Sequence, residues 1–245
     1  MQLRPMPSGN PALPRLSSRA DPEMGKHPSA EFHTSNHGLG KDILTRALRD
    51  VMATGTSAPG PTDRLEWEHH CIQQVVGAMA PLAETLEKGG KVDVGTLRSI
   101  VEFMRTFADK CHHGKEEKHL FALLEQKGVP IHGCPLGILL LEHQKGRTLV
   151  TKLAEITESY ATDSPSASEE LVKCLHELMH LYPNHIWKEE YLLFPMTNKM
   201  VPPEEQREMN QNFDDVDKSI GTNVHDRFLQ AAQKLEKDAR GVGTP

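Results

Sequence analysis

Two histidine–glutamate pairs stand out among those spaced four residues apart, His112 with Glu116 and His185 with Glu189. On a helix such residues lie on one face, one above the other. Each pair falls in a run whose other members are apolar. Ala108, Leu120 and Leu123 accompany the first; Leu171, Leu175, Leu178, Tyr182, Leu193 and Met196 accompany the second. His69 takes the same kind of position among Leu65, Ile72, Val76 and Met79, and His143 among Leu136, Leu140, Val150 and Leu153. At about 100° per residue each set stays within one stripe. Four imidazoles and two carboxylates therefore point where leucines point. Burying them is costly unless something compensates them, and a dry core cannot pair all six with one another without strain. A metal can.

Imidazole nitrogen with carboxylate oxygen suits iron, manganese or zinc, and no thiolate is in phase to select copper(I) or an iron–sulfur cluster. Six ligands are too many for one tetrahedral zinc. They suit two cations if both glutamates bridge. A bridging oxide or hydroxide then brings each metal to five ligands and leaves one position for a small molecule.

Four long helices must position these groups. The first opens at Asp63, with Glu66 three residues on as in a capping box, kinks at Pro81 and stops at Gly89-Gly90. The second follows Asp93 as N-cap and reaches Lys127 before Gly128, a span of roughly 50 Å. The third runs from Pro135 to near Thr162. The fourth is capped by Ser166, with Glu169 in the box position, and runs to about Met200 before Pro202-Pro203. Short connections make neighbouring helices antiparallel, and no strand signal competes. The expected class is all-α, an up-and-down four-helix bundle over 63–200. A tail over 201–245 carries Phe213, Val216, Ile220, Val224, Phe228, Ala231 and Leu235 at helical spacing, broken at Gly221. It has either the bundle or a second copy of the chain, as a homodimer, to cover. Residues 1–40 read as a disordered tail rich in Pro, Gly and Ser, and 41–62 as a short helix and linker.

Composition excludes other classes. A net charge of −6 provides no basic footprint for nucleic acid, and no apolar run is long enough to span a membrane. The N-terminus lacks the apolar run of a secretory signal. The four cysteines (71, 111, 134, 174) form no C-x-x-C motif and read as free, half-buried thiols in a reducing compartment, so the expected location is cytoplasmic. Histidine is the outlier, at 14 of 245 residues.

The segments EHHCIQQVV (68–76), HHGKEEKHLF (112–121), GCPLGILLLEHQKGR (133–147) and HIWKEEYLLFP (185–195) resemble the hemerythrin-like family, the HHE cation-binding domains. The resemblance implies a four-helix bundle with a non-haem di-iron centre, two iron ions (Fe2+/Fe3+) under an oxo or hydroxo bridge, with manganese or zinc as alternatives. Carried over, the ligands are His69, His112, Glu116, His143, His185 and Glu189. Oxygen-carrying members have a third-helix His-x-x-x-His pair. Here the second position is Arg147, which leaves four histidine ligands and speaks against reversible oxygen carriage. The pattern is similar instead to the repair-of-iron-centres proteins and related bacterial relatives.

Other residues are assigned around this set. Arg147 either bonds a bridging or outer carboxylate or extends to the surface. Tyr182 is either a donor to a bound oxygen species or bridging ligand, or an ordinary core tyrosine. Glu68 and Glu142 cap ring nitrogens or face solvent. His113 with Glu117 is the register alternative one residue along, and the Leu-Phe spacing favours His112 with Glu116. A ferritin-like Glu-x-x-His register fails on phase, because Glu177 and His180 lie off the stripe of the fourth helix.

Three functions fit. The first is a di-iron protein that binds or consumes O2, H2O2 or NO, with an unspecified electron donor. The second is an iron or oxygen sensor or iron-delivery module without turnover, and the third is a metal-free structural bundle.

Overall fold

The computed structural model describes residues 59–241. The segments expected over 1–40 and 41–53 lie outside the described residues. Among those described, there are helices and no strands.

Helix α1 is Pro61–Glu87. Helix α2 covers 94–126 as an α-helical start (Val94–Phe103), two π-helical stretches (Met104–His113 and Glu116–Phe121) and an α-helical end (Ala122–Gln126). Helix α3 is Leu136–Ala161. Helix α4 covers 167–200, with a π-helical stretch Glu189–Leu193 between Ala167–Lys188 and Phe194–Met200. Helices α5 (Pro203–Ile220) and α6 (Val224–Gly241) follow. Short loops join α1 to α4 in an up-and-down bundle, in which α4 packs against α1 and α3, and α2 against α3.

Helix α1 starts two residues before the expected Asp63, because Pro61 suits a first helical position. Asp63 acts from inside the first turn, its Oδ2 accepting from the Gly60 amide at 2.8 Å. The helix runs on through Pro81 and ends at Gly89, whose φ of +77° favours glycine. Asp93 caps α2 as expected, its carboxylate accepting from the Thr96 amide at 2.7 Å and the Thr96 hydroxyl at 3.0 Å. Asp93→Ala should cost about 1 kcal/mol, read as a lowered midpoint in urea without a change in slope. Ser166 sits at the N-cap of α4 but makes no capping bond, so the capping-box expectation there fails.

The tail covers the bundle. Helix α6 packs on α1 and α2, and α5 on α1 and the second half of α2. Phe228 meets Phe103 edge-on at 5.7 Å and packs at a tilt on Phe107 at 5.1 Å, and Phe213 is fully buried. Cys71, Cys111 and Cys174 are buried rather than half-buried, and Cys134 is exposed; all are free thiols. No helix of the described residues is long and apolar enough to cross a membrane.

The apolar core falls into two clusters. One contains Ile72, Ala108, Val150, Leu178 and Tyr182; the other contains Leu65, Leu120, Phe121, Leu139, Leu193 and Phe194. In each of α1 to α4 the buried histidines and glutamates lie between members of the two. A polar layer thus divides the core at one level of the bundle. Past this layer the stripe shifts by one residue. Leu124 is buried where Leu123 was expected, and Thr197 where Met196 was, while Leu123 and Met196 are half-buried. A π-helical stretch holds more residues per turn than an α-helix, so the ideal helical phase drifts across it. In α3 the buried position is Leu139, four residues before His143, with Leu140 half-buried.

Candidate metal centre

His69, His112, Glu116, His143, His185 and Glu189 converge within the polar layer and are all essentially buried. They form two overlapping groups. His69, His112, Glu116 and Glu189 make one; His143, His185 and Glu116 make the other, together with His113, which the sequence reading left outside. Within each group the donor atoms lie within 4.8 Å of one another.

Both glutamates face both groups. Glu116 Oε1 lies 3.5 Å from His112 Nε2, and its Oε2 lies 3.4 Å from His143 Nε2. Glu189 Oε2 lies 3.1 Å from His69 Nε2 and 3.3 Å from His185 Nε2, and its Oε1 lies 3.7 Å from His143 Nε2. Nitrogen and oxygen donors held at about 2.1 Å by one cation sit roughly 3.0 to 3.4 Å apart in octahedral or tetrahedral coordination. Most of these separations match that edge length.

The hydrogen-bond inventory makes the same point. His69 Nε2, His112 Nε2, both His113 nitrogens and all four carboxylate oxygens of Glu116 and Glu189 have no hydrogen-bond partner among the described residues. A buried polar atom left so costs about 1–3 kcal/mol, and all of these but His113 Nδ1, which faces Asp109, gather at one point and demand a common partner.

The outward nitrogens, in contrast, are all engaged. His69 Nδ1 meets Glu190 at 3.0 Å, His112 Nδ1 meets Glu68 at 3.0 Å, His143 Nδ1 meets Glu117 at 2.7 Å and His185 Nδ1 meets Glu142 at 3.1 Å. A carboxylate at Nδ1 fixes the proton there and turns the Nε2 lone pair inward, as metal-ligating histidines require. His143 Nε2 and His185 Nε2 then face each other at 3.1 Å. Two lone pairs at that distance repel unless a proton or a cation lies between them.

Three outer carboxylates are held in turn by cations. Lys115 Nζ pairs with Glu68, Arg147 with Glu117 at 2.7 Å, and Lys188 with Glu142 at 2.6 Å. Arg147 therefore takes the outer-carboxylate role and also reaches Asp109 at 2.7 Å. Lys115 is fully buried and its ammonium meets Asp217 of α5 at 2.5 Å, while His225 of α6 reaches Glu68 at 2.9 Å. Cys111 Sγ donates to Asp217 at 3.2 Å. The tail helices are thus tied to the carboxylate that orients His112.

The electrostatics follow from these contacts. Burial pushes His69 down, but Glu189 and Glu190 against its two nitrogens outweigh it and lift the ring to about 10. His143 is raised in the same way by Glu116, Glu117 and Glu189. Glu189 is held well below the usual carboxylate range, because its histidine neighbours outweigh burial. His113 behaves oppositely. Burial first, then the neighbouring imidazoles, depress it well below its ordinary value, so it stays neutral.

The centre has an internal two-fold pattern. Glu-His occurs in α1 (68–69) and α3 (142–143), and His-x-x-Lys-Glu-Glu-x-x-Leu-Phe occurs in α2 (112–121) and α4 (185–194). The second glutamate of each Lys-Glu-Glu caps a histidine of the opposite half, and each lysine holds the glutamate of a Glu-His. This repeat is the sequence signal for Lys188, Glu117 and Glu190, and it marks Lys115 without announcing its burial. Nothing comparable announced Asp217 or His225, which reach the site through tertiary packing. Neither Glu177 nor His180, the ferritin-like pair, enters the centre.

The model of the hemerythrin HHE cation-binding domain matches residues 60–197. The chain belongs to this family. It is also similar to uncharacterised proteins of Mycobacterium bovis and Mycobacterium tuberculosis, 25% identical over 165 residues. Those matches cover 67% of this chain and 61% of each relative, so the chain spans less than two thirds of their length. No solved structure matches the chain. The HHE match takes in all four bundle helices up to the middle of the last stretch of α4 and leaves α5 and α6 outside.

Proposed function

We propose that this HHE domain holds two iron ions between His69, His112, Glu116, His143, His185 and Glu189, and that the pair binds or reacts with a small oxidant or diatomic molecule, O2, H2O2 or NO. One observation carries the reading. The inward Nε2 atoms of His69 and His112 and the carboxylate oxygens of Glu116 and Glu189 lack partners, the Nε2 atoms of His143 and His185 have only each other, and every outward Nδ1 of the four histidines has its carboxylate. The donor set fits a pair of first-row cations of intermediate softness. When bound, such a pair supplies two electrons to one small molecule and acidifies a coordinated water.

The chain's own residues set the conditions for that chemistry. The two apolar clusters seal the polar layer from both ends of the bundle. Glu116 and Glu189, each facing both groups, hold the two positions at a fixed spacing. The outer carboxylates keep the imidazoles in the ligating tautomer and raise their basicity. A cavity of about 240 Å3 between α2 and α3, lined among others by His113, Gly146, Arg147 and Tyr182, offers a small molecule a way in. The Tyr182 ring packs parallel to His113 at 6.4 Å, and burial pushes its phenol up, so it stays protonated as a hydrogen-bond donor.

The test is anaerobic reduction of the iron-loaded protein, followed by H2O2, O2 or NO in separate samples. A change in the visible spectrum or consumption of at least one reagent is expected. Inertness toward all three contradicts the reading.

The link from His112 through Glu68 and Lys115 to Asp217 and His225 favours a second reading. Here metal occupancy is reported by α5 and α6 to a partner, without turnover, because binding energy at such a site is also folding energy. Protease resistance of the tail that is indifferent to iron chelation would exclude it.

A further inference from the structure

The two halves of the centre share the carboxylate at each outward Nδ1 and the lysine behind each Glu-His, and one set of differences between them lies together. His113 on α2 corresponds to Ile186 on α4 in the repeated motif. Asp109, three residues before His112, corresponds to Tyr182, three before His185. Arg147, four residues after His143, corresponds to Gln73 on α1. Asp109, His113, Arg147 and Tyr182 all line the cavity between α2 and α3. Besides the tail contacts at Glu68 and Lys115, this second asymmetry lies on the side of His143 and His185.

His113 is the centre of that asymmetry. It is 2% exposed, with neither ring nitrogen hydrogen-bonded among the described residues. Its ring stacks on His143 at 3.8 Å and 15°, and it belongs to the donor group of Glu116, His143 and His185. A buried stacking role alone would be filled at lower cost by an apolar ring, as Phe121 does against His143 at 5.7 Å. His113 also follows the rule of the four other histidines in a looser form. Its Nδ1 faces a carboxylate oxygen of Asp109 at 3.5 Å, which leaves Nε2 for the centre. Arg147 bridges Asp109 to Glu117, the outer carboxylates of His113 and His143. The residue that displaces the family's second third-helix histidine thus organises a histidine from the neighbouring helix.

We propose that His113 is a third imidazole ligand to the cation held by His143 and His185, so that the two metal positions are unequal, with three imidazoles at one and two at the other. The proposal rests on the two-metal reading above. The π-helical stretch Met104–His113 makes it feasible, because a smaller rotation per residue keeps His112 and His113 on the same side of α2, each turned toward a different metal position.

The test is anaerobic Fe(II) titration of the metal-stripped full chain, with elemental analysis, in the wild type and in His113→Phe. The aromatic replacement preserves the stack on His143. One of two bound irons should lose about tenfold or more in affinity, in line with losses at metal sites of this kind. The metal-free variant should melt no lower than the metal-free wild type, since a buried unpaired polar ring has been removed. Mössbauer spectra of the iron-loaded wild type should show two quadrupole doublets of equal area. His113→Gln, with a smaller side chain, should show the same affinity loss should the phenylalanine variant misfold. Two irons of unchanged affinity and unchanged spectra in either folded variant overturn the assignment of His113 and leave the two-metal reading intact. A wild type that binds no iron overturns both.

Discussion

Lys115→Met is expected to destabilise the chain by about 3–5 kcal/mol, the usual consequence of removing one partner of a buried ion pair. At this size, that corresponds to a fall in melting temperature of roughly 10 °C. The lysine is fully buried, and its ammonium contacts Glu68 and Asp217. Methionine preserves the stem and removes the charge, which leaves two carboxylates facing each other in the core. In the wild type, burial pushes Glu68 up, but Lys115 and the hydrogen bonds from His112 and His225 outweigh it and hold the carboxyl well below its usual range. A depressed carboxyl contributes stability that is present above its ordinary value near 4.5 and lost as pH falls through the depressed one. The gap between wild type and variant should therefore be full at neutral pH and close in strong acid. Thermal and urea melts of the metal-free proteins measure it. The double variant Lys115→Met with Glu68→Gln should recover part of the loss, because the uncompensated charge is gone. A single variant as stable as the wild type would mean that water, not Lys115, solvates Glu68.

Glu189→Ala is expected to lower the affinity for both cations by more than about 100-fold, above the upper end of losses caused by changing an outer partner. Glu189 contacts His69, His143 and His185, so like Glu116 it reaches both groups. The stabilisation by metal, seen as the rise in melting temperature on loading, should largely vanish. Without metal, the same carboxylate acts on protons. His69 is lifted to about 10 from an ordinary 6.5, so the stability it contributes is complete below 6.5 and lost as pH rises through 10. Metal must displace that proton. Affinity for Fe(II) in the wild type should accordingly climb across the window from 6.5 to 10, and a flat profile would show that His69 carries no proton to displace. The two predictions separate frame from site: Lys115→Met should change stability with or without metal, Glu189→Ala chiefly the response to metal.

Much of this site was legible in the sequence because it is repeated and helical. His185 and Glu189 among leucines at three- and four-residue spacing cannot face solvent while the leucines face the core, and the same holds for His69, His112 and His143. The loss of register beyond the site was not legible. The ideal helical phase selects Leu123 and Met196, whereas π-helical stretches through Met104–His113, Glu116–Phe121 and Glu189–Leu193 move burial to Leu124 and Thr197. The same departure hid His113, since a stripe with 100° steps has room for His112 or its neighbour but not for both. The buried Lys115 was hidden for a different reason. A lysine beside two glutamates on a helix reads as a solvated charge, and only α5 and α6, packed from outside the repeated half-motifs, bury it.

Elemental analysis of the full chain, purified, freed of loosely held metal by dialysis and compared with a chelator-stripped sample, addresses the central claim most directly. Two iron ions per chain are expected, with a melting temperature that falls when they are removed. A plateau at one ion or none, with no change in melting on chelation, would contradict that claim.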